Sequence, residues 1–202
     1  MQHIIHLGKD KKLKKIIELQ QPVLLTKKKP VWLHLCASIT SQQLSTKVAE
    51  VIYNRFISLY PRQTPTLQLI VDTPHEALRS IGLSNAKAGY VKNVCVFFLN
   101  HKLTDAALHK MSNEALIKLL TQIKGVGQWT VEMILMFALG REDVFAADDL
   151  GIQQAMIKLY KLDTADKKQL KQQMLQIAAK WSPYRTYACR YLWGWKDNVP
   201  VA

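Results

Sequence analysis

Glycine and proline are scarce, eight and seven in a chain of 202 residues. That is too few for a disordered chain or for an all-β chain with many turns. The three cysteines, Cys36, Cys95 and Cys189, are odd in number and far apart, with no CxxC pair and no Cys/His cluster. Neither a zinc site nor an iron–sulfur cluster is supported. Three reduced, buried thiols in an intracellular protein are expected instead, in cytoplasm or nucleoid, or in a nucleus. No apolar run is long. The most apolar, Met133 to Leu139, covers seven residues, against about 20 for a membrane-spanning helix. Met1 to Leu7 lacks the basic and long apolar regions of a secretory signal. There is no arginine before Arg55, and Asp10 and Glu18 interrupt the early lysines, which argues against a mitochondrial presequence. Acidic residues are few as well. Fifteen face 28 lysines and arginines, for a net charge of +13 and a pI near 9.7. A charge that large points to a polyanion, either nucleic acid or an acidic membrane surface.

Hydrophobic residues make up 49% of the chain, enough for a core, and the Leu, Ile, Ala, Gln, Lys mix favours helices. Strand-like alternation is absent almost everywhere, so an all-α fold is expected. A basic amphipathic helix is predicted over Lys9 to Ile17, followed by a charged loop at Lys27-Lys28-Lys29-Pro30. Trp32 to Leu59 reads as a long helix or two helices flanking Ile39 to Ser45, ended by Pro61 and Pro65. Thr73, Pro74 and Glu76 spell a capping box for a short helix that stops at Gly82. Further helices are predicted from Ser84 to about Leu99, from Ser112 to Leu120, from Gln128 to Leu139, and from Asp148-Asp149 to about Tyr160. Two more follow, near Thr164 to Lys180 and Tyr184 to Trp193.

The segment Ile123-Lys124-Gly125-Val126-Gly127 lies between two of these helices. Two glycines around one small apolar residue permit a tight turn with positive φ. They leave backbone N–H groups uncovered at the start of the next helix, and with the helix dipole those donors suit a phosphate. Val126 is expected to pack inward while its own N–H faces out. Such a grip reads no base sequence. A plain αα-hairpin with a glycine C-cap would fit the same residues.

The stretch Leu119 to Glu132, followed by Asp143-Val144-Phe145-Ala146-Ala147-Asp148-Asp149-Leu150-Gly151-Ile152, resembles the helix-hairpin-helix (HhH-GPD) DNA glycosylase superfamily. Ile39 to Ser45, Lys87-Ala88-Gly89-Tyr90-Val91 and Trp181 to Ala188 also fit its alkylation-repair branch, the 3-methyladenine DNA glycosylase II type. The resemblance covers nearly all of residues 10–195. It implies one domain over 1–202 made of two helical lobes with the active cleft between them. The hairpin lobe would span roughly 31–140, and the first helix and C-terminal helices would form the other. The family's D-x-x-Ile pattern falls on Asp149-Leu150-Gly151-Ile152. Asp149 is therefore the implied catalytic residue, and Asp148 is left as a helix N-cap. Breaking an N-glycosidic bond builds positive charge on the sugar, which a fixed carboxylate stabilises. Glycosylases that also cut the strand use a lysine to form a Schiff base. In related sequences it lies two residues after the second hairpin glycine, where this chain has Trp129. A monofunctional enzyme is implied, with no cofactor. The family also allows a monovalent cation at the hairpin carbonyls.

The same resemblance implies a base pocket at Trp129 and Trp193, with Met133 where relatives carry a tyrosine. Phe145 and Tyr187 are further candidates for its lining, whereas Trp181 and Trp195 read as core. A flipped, electron-poor alkylated purine suits aromatic faces. DNA contacts are expected from Lys124, Gly125, Val126, Gly127 and Thr130, and from Gln42 and Gln43. One of these glutamines, preferably Gln43, would fill the gap left in the stack. His34, His75, His101 and His109 read as surface or core histidines. Arg185 reads as a brace for the last helix. The implied activity is hydrolysis of the bond to 3-methyladenine- or 7-methylguanine-type bases in duplex DNA by a monomer with no membrane attachment. The rivals are a glycosylase/lyase acting on other damaged bases and a non-catalytic DNA-binding module.

Overall fold

The structure, a computed structural model, describes residues 1–25 and 30–198. The lysine run at 27–29 lies outside the described residues. Among those described there is no strand, and no helix is long and apolar enough to cross a membrane. The elements are α1 (Gln2–Leu7), α2 (Lys11–Ile17), α3 (Val31–Ser41), α4 (Thr46–Ser58), α5 (Leu67–Asp72), α6 (His75–Ser80), α7 (Asn85–Asn100), α8 (Asp105–Lys110), α9 (Asn113–Leu120), α10 (Gln128–Phe137), α11 (Leu150–Tyr160), α12 (Lys167–Ala179) and α13 (Arg185–Asn198). They form two compact units, one of residues 1–27 with 135–202 and one of residues 28–134.

In the central unit, α7 is the hub and packs on α3, α5 and α6. It buries Ala88, Val91, Val94, Cys95 and Phe98. Ser84 caps it by accepting from the Lys87 amide at 3.3 Å. Ser112 caps α9 in the same way, accepting from the Ala115 amide at 3.2 Å. The expected capping box at Thr73 does not form. Thr73 instead closes α5, a helix the sequence reading missed, and its hydroxyl donates to the Leu69 carbonyl at 2.7 Å. Pro74, with ψ 141°, takes the cap position of α6 itself, so the helix starts one residue later and the Thr73 hydroxyl is left to α5. The short α8, capped by Thr104, was also not anticipated.

In the other unit, α11 packs on α13, and α2 on both. The basic helix starts two residues later than expected because Asp10 caps it, accepting from the Lys12 and Leu13 amides at 2.9 and 3.2 Å. The same carboxylate accepts from Tyr160 Oη at 2.7 Å and Trp181 Nε1 at 3.2 Å. Burial alone would raise the Asp10 carboxyl, but these donors hold it below the usual range. Trp181 is core, as read from the sequence, at 1% exposure. Helix α1 was not anticipated. It buries His3, whose ring stacks on Tyr187 with centroids 4.0 Å apart.

Candidate active site and hairpin

The hairpin joins α9 to α10 in the central unit. Ile123 and Val126 are buried and anchor the turn. Gly125 has φ +100°, and a Cβ there would collide with the Tyr90 ring. Only glycine fits, on both counts. Gly127 differs from the expectation, since its φ is not positive. Its value is open space, with no heavy atom within 4 Å of where a Cβ would stand, so another molecule can reach the backbone. The Val126 amide does not face out. It donates to the Ile123 carbonyl at 3.0 Å, which leaves the grip to the first turn of α10. At the start of that helix a backbone bond runs from Val131 N–H to Gly127 C=O at 3.1 Å. Thr130 is buried at 3% exposure, so the DNA contact expected of it is not offered by its side chain. Lys124 is exposed. Its carbonyl accepts from Asn93 Nδ2 at 3.3 Å, so a cation at Ile123 and Lys124 would have to use their second lone pairs.

A pocket of about 610 Å³ opens in the same unit. It brings together Gln42, Gln43, Lys87, Tyr90 and Trp129. Trp129 is 40% exposed, and Met133, one turn further along α10, is half-buried. The break expected between Ile39 and Ser45 is the turn from α3 to α4. There Gln43 is exposed and takes a left-handed φ of 58°.

In the other unit, residues 141–149 are fastened to α13. Arg185 Nε and a terminal Nη donate to the two oxygens of Asp143 at 2.7 and 2.9 Å. Thr186 Oγ1 donates to the Arg141 carbonyl at 2.6 Å and accepts from the Val144 amide at 3.0 Å. Arg185 is thus a brace, as expected. Burial alone would raise the Asp143 carboxyl, but Arg185 and Ser182 outweigh it and hold it low.

This scaffold delivers Asp149 to the start of α11. Asp149, not Asp148, is the N-cap, and its Oδ1 accepts from the Ile152 amide at 2.8 Å. Asp148 instead pairs with Lys171 at 2.7 and 2.8 Å. A second donor reaches Asp149 Oδ1: Trp193 Nε1, at 2.8 Å. The Trp193 ring is half-buried, stacked on Phe137 with centroids 5.9 Å apart. A Cβ on Gly151 would stand 3.1 Å from both Asp149 Oδ1 and Trp193 Cδ1, so the three residues form one tight cluster. Trp193 serves the carboxylate, a role its sequence position did not suggest.

Two other pocket candidates sit elsewhere. Tyr187 is 8% exposed, its face covered by His3 and its hydroxyl given to Glu142 at 2.7 Å, so it does not line a base pocket. Burial pushes its phenol up to about 12. Phe145 meets Trp181 edge to face at 5.9 Å. Trp195, expected in the core, is only half-buried and lies under Lys158. His75 and His101 have partners, the Asn85 side chain at 2.7 Å and the Phe97 carbonyl at 2.9 Å.

The family model of HhH-GPD superfamily base excision DNA repair proteins matches residues 36–180. The chain belongs to this superfamily. Among HhH-GPD proteins it is 38% identical to DNA-3-methyladenine glycosylase 1 of Schizosaccharomyces pombe, over 94% of this chain and 84% of that one. Its fold matches the S. pombe 3-methyladenine DNA glycosylase solved in complex with abasic DNA, with a TM-score of 0.83, 36% identity, and coverage of 96% and 95% of the two chains. A DNA-3-methyladenine glycosidase from Bacillus halodurans is similarly close, with a TM-score of 0.84 and 34% identity over 97% of this chain and 89% of that one. The HhH-GPD match spans both the hairpin and Asp149.

Proposed function

We propose that the chain is a monofunctional DNA glycosylase that removes alkylated purines of the 3-methyladenine and 7-methylguanine type from duplex DNA, inside the cell. Its main support is the Asp149 carboxylate, held at Oδ1 by the Ile152 amide and Trp193 Nε1. Two fixed donors and a helix start give that group one orientation before substrate arrives. Preorganisation of this kind is what stabilises charge that develops only in the transition state.

The bond to break joins C1′ of the deoxyribose to a purine nitrogen. Its electron pair leaves with the base, and the sugar becomes cationic. An alkylated, cationic base leaves as a neutral molecule, so no strong general acid is needed. Water then bonds to C1′ and gives up a proton, for which Asp149 is the acceptor. Trp129, exposed beside the Gln42-Gln43 turn, offers an aromatic face for an electron-poor ring. An indole cannot form a Schiff base, so the product is an abasic site in an intact strand. The hairpin amides, with Lys124, hold the backbone.

The test is release of methylated purine from methylated duplex DNA. Asp149→Asn is expected to slow release on the order of a hundred- to a thousandfold and to leave binding to abasic-site DNA in place. Loss of release on Asp148→Asn instead would move the role one residue back.

A further inference from the structure

Helix α3 ends at Ser41, with carbonyl groups that no later amide of the helix can satisfy. Lys87, in the first turn of α7, reaches across to them. Its Nζ donates to the Thr40 carbonyl at 3.1 Å and to the Gln42 carbonyl at 2.7 Å. These are main-chain acceptors, and among the described ion pairs none involves Lys87. The side chain is half-buried, and burial lowers its ammonium below the ordinary lysine value. The next residue, Gln43, has φ 58°, a conformation an L residue with a side chain leaves unless something holds it. Gln42 itself has ψ 132° and caps α3. The clamp therefore grips the Thr40–Ser41 and Gln42–Gln43 peptide units, the second of which leads directly into the strained position. The gripped turn, the lysine and Trp129 line a single pocket.

We propose that Lys87 is a positioning residue for base extrusion: it locks the α3–α4 turn so that Gln43 stands ready to enter the gap left by the departing base. The proposal rests on the glycosylase reading above. A lysine serves here because three donors on one nitrogen can satisfy both carbonyls at once. A neutral side chain of similar length would fill the space without holding the turn. Lys87 touches neither the base nor the sugar in this account. Its effect is confined to the cost of opening the base pair.

That confinement supplies the test. A lesion in a matched pair must be forced out of the stack, whereas a lesion opposite a mismatch is already loosely held. Single-turnover release of methylpurine is measured on both duplexes for the wild-type chain, Lys87→Met, Lys87→Arg and Gln43→Ala. For Lys87→Met the loss is expected to be about tenfold greater on the matched duplex than on the mismatched one, the scale of a charged hydrogen bond. Gln43→Ala should show the same bias, and Lys87→Arg should recover part of it. Equal losses on both duplexes for Lys87→Met would overturn the proposal, because that is what general damage to the fold produces. If Lys87→Met does not fold, Gln43→Ala decides: a matched-to-mismatched ratio equal to that of the wild type also overturns it. Failure of the wild-type chain to release base from either duplex would instead defeat the glycosylase reading.

Discussion

Replacing Trp193 by Phe keeps an aromatic ring against Phe137 and deletes one atom of consequence, the Nε1–H that donates to Asp149 Oδ1 at 2.8 Å. A hydrogen bond to a charged acceptor contributes about 1.5–3 kcal/mol, and each 1.36 kcal/mol is a factor of ten in rate. The Ile152 amide still holds the same oxygen, so the carboxylate is loosened rather than released. The smaller end of the range applies, and kcat should fall roughly tenfold. The competing role for Trp193 is stacking on the extruded base, about 0.5–2 kcal/mol, which overlaps the first figure in size. A double-mutant cycle separates the two. Base release is followed under single-turnover conditions for Trp193→Phe, Asp149→Ala and the pair. If the indole works through the carboxylate, its loss costs almost nothing once Asp149 is gone. The reasoning fails if Trp193→Phe costs the same factor in both backgrounds, since the indole would then be acting on the base.

Gly151→Ala should separate stability from activity. The position is helical, where alanine is favoured over glycine by about 1 kcal/mol, yet its Cβ would press on Asp149 Oδ1 and Trp193 at 3.1 Å. Thermal unfolding should be unchanged or slightly raised while base release drops several-fold; a fully active variant would show that the cluster tolerates displacement. Acid stability should depend on Asp143, whose carboxyl is held low by Arg185 and Ser182 against the opposing effect of burial. A depressed carboxyl contributes stability that is complete above its unfolded value, near pH 4, and is lost as pH falls through the folded value. Melting temperature should therefore decline below about pH 4, and Asp143→Asn should be less stable than wild type at pH 7 with a shallower acid decline. An equally steep decline in the variant would place the acid sensitivity elsewhere.

Most of the helices were legible because their caps and apolar spacing are local. Ser84 and Ser112 cap where the sequence put them, and the polar break after Ile39 is the α3–α4 turn. The errors have physical causes. At Thr73-Pro74 the same residues serve as the end of one helix or the start of the next, and the shift of the start to His75, with Pro74 in the cap place, left Thr73 to the end. Gly125 and Gly127 look alike in sequence. Gly125 is required by a left-handed backbone and the Tyr90 ring, whereas Gly127 has an ordinary φ and open space beside it, and neither the ring nor the space is encoded nearby.

The aspartate pair shows why a candidate site reads less well than a fold. N-capping and catalysis look like rival uses of two adjacent carboxylates, one for each. The structure gives Asp149 the cap and frees Asp148 for Lys171. Capping then strengthens the catalytic reading, because the bond from Ile152 supplies half of the orientation that a charge-stabilising group needs. The other half comes from Trp193, 44 residues away along the chain. Its ring advertises stacking, and nothing in its neighbours announces a donor. Residues that bind substrate through a face can be guessed from type. A residue that positions another through a single N–H becomes visible only once α11 and α13 are packed together.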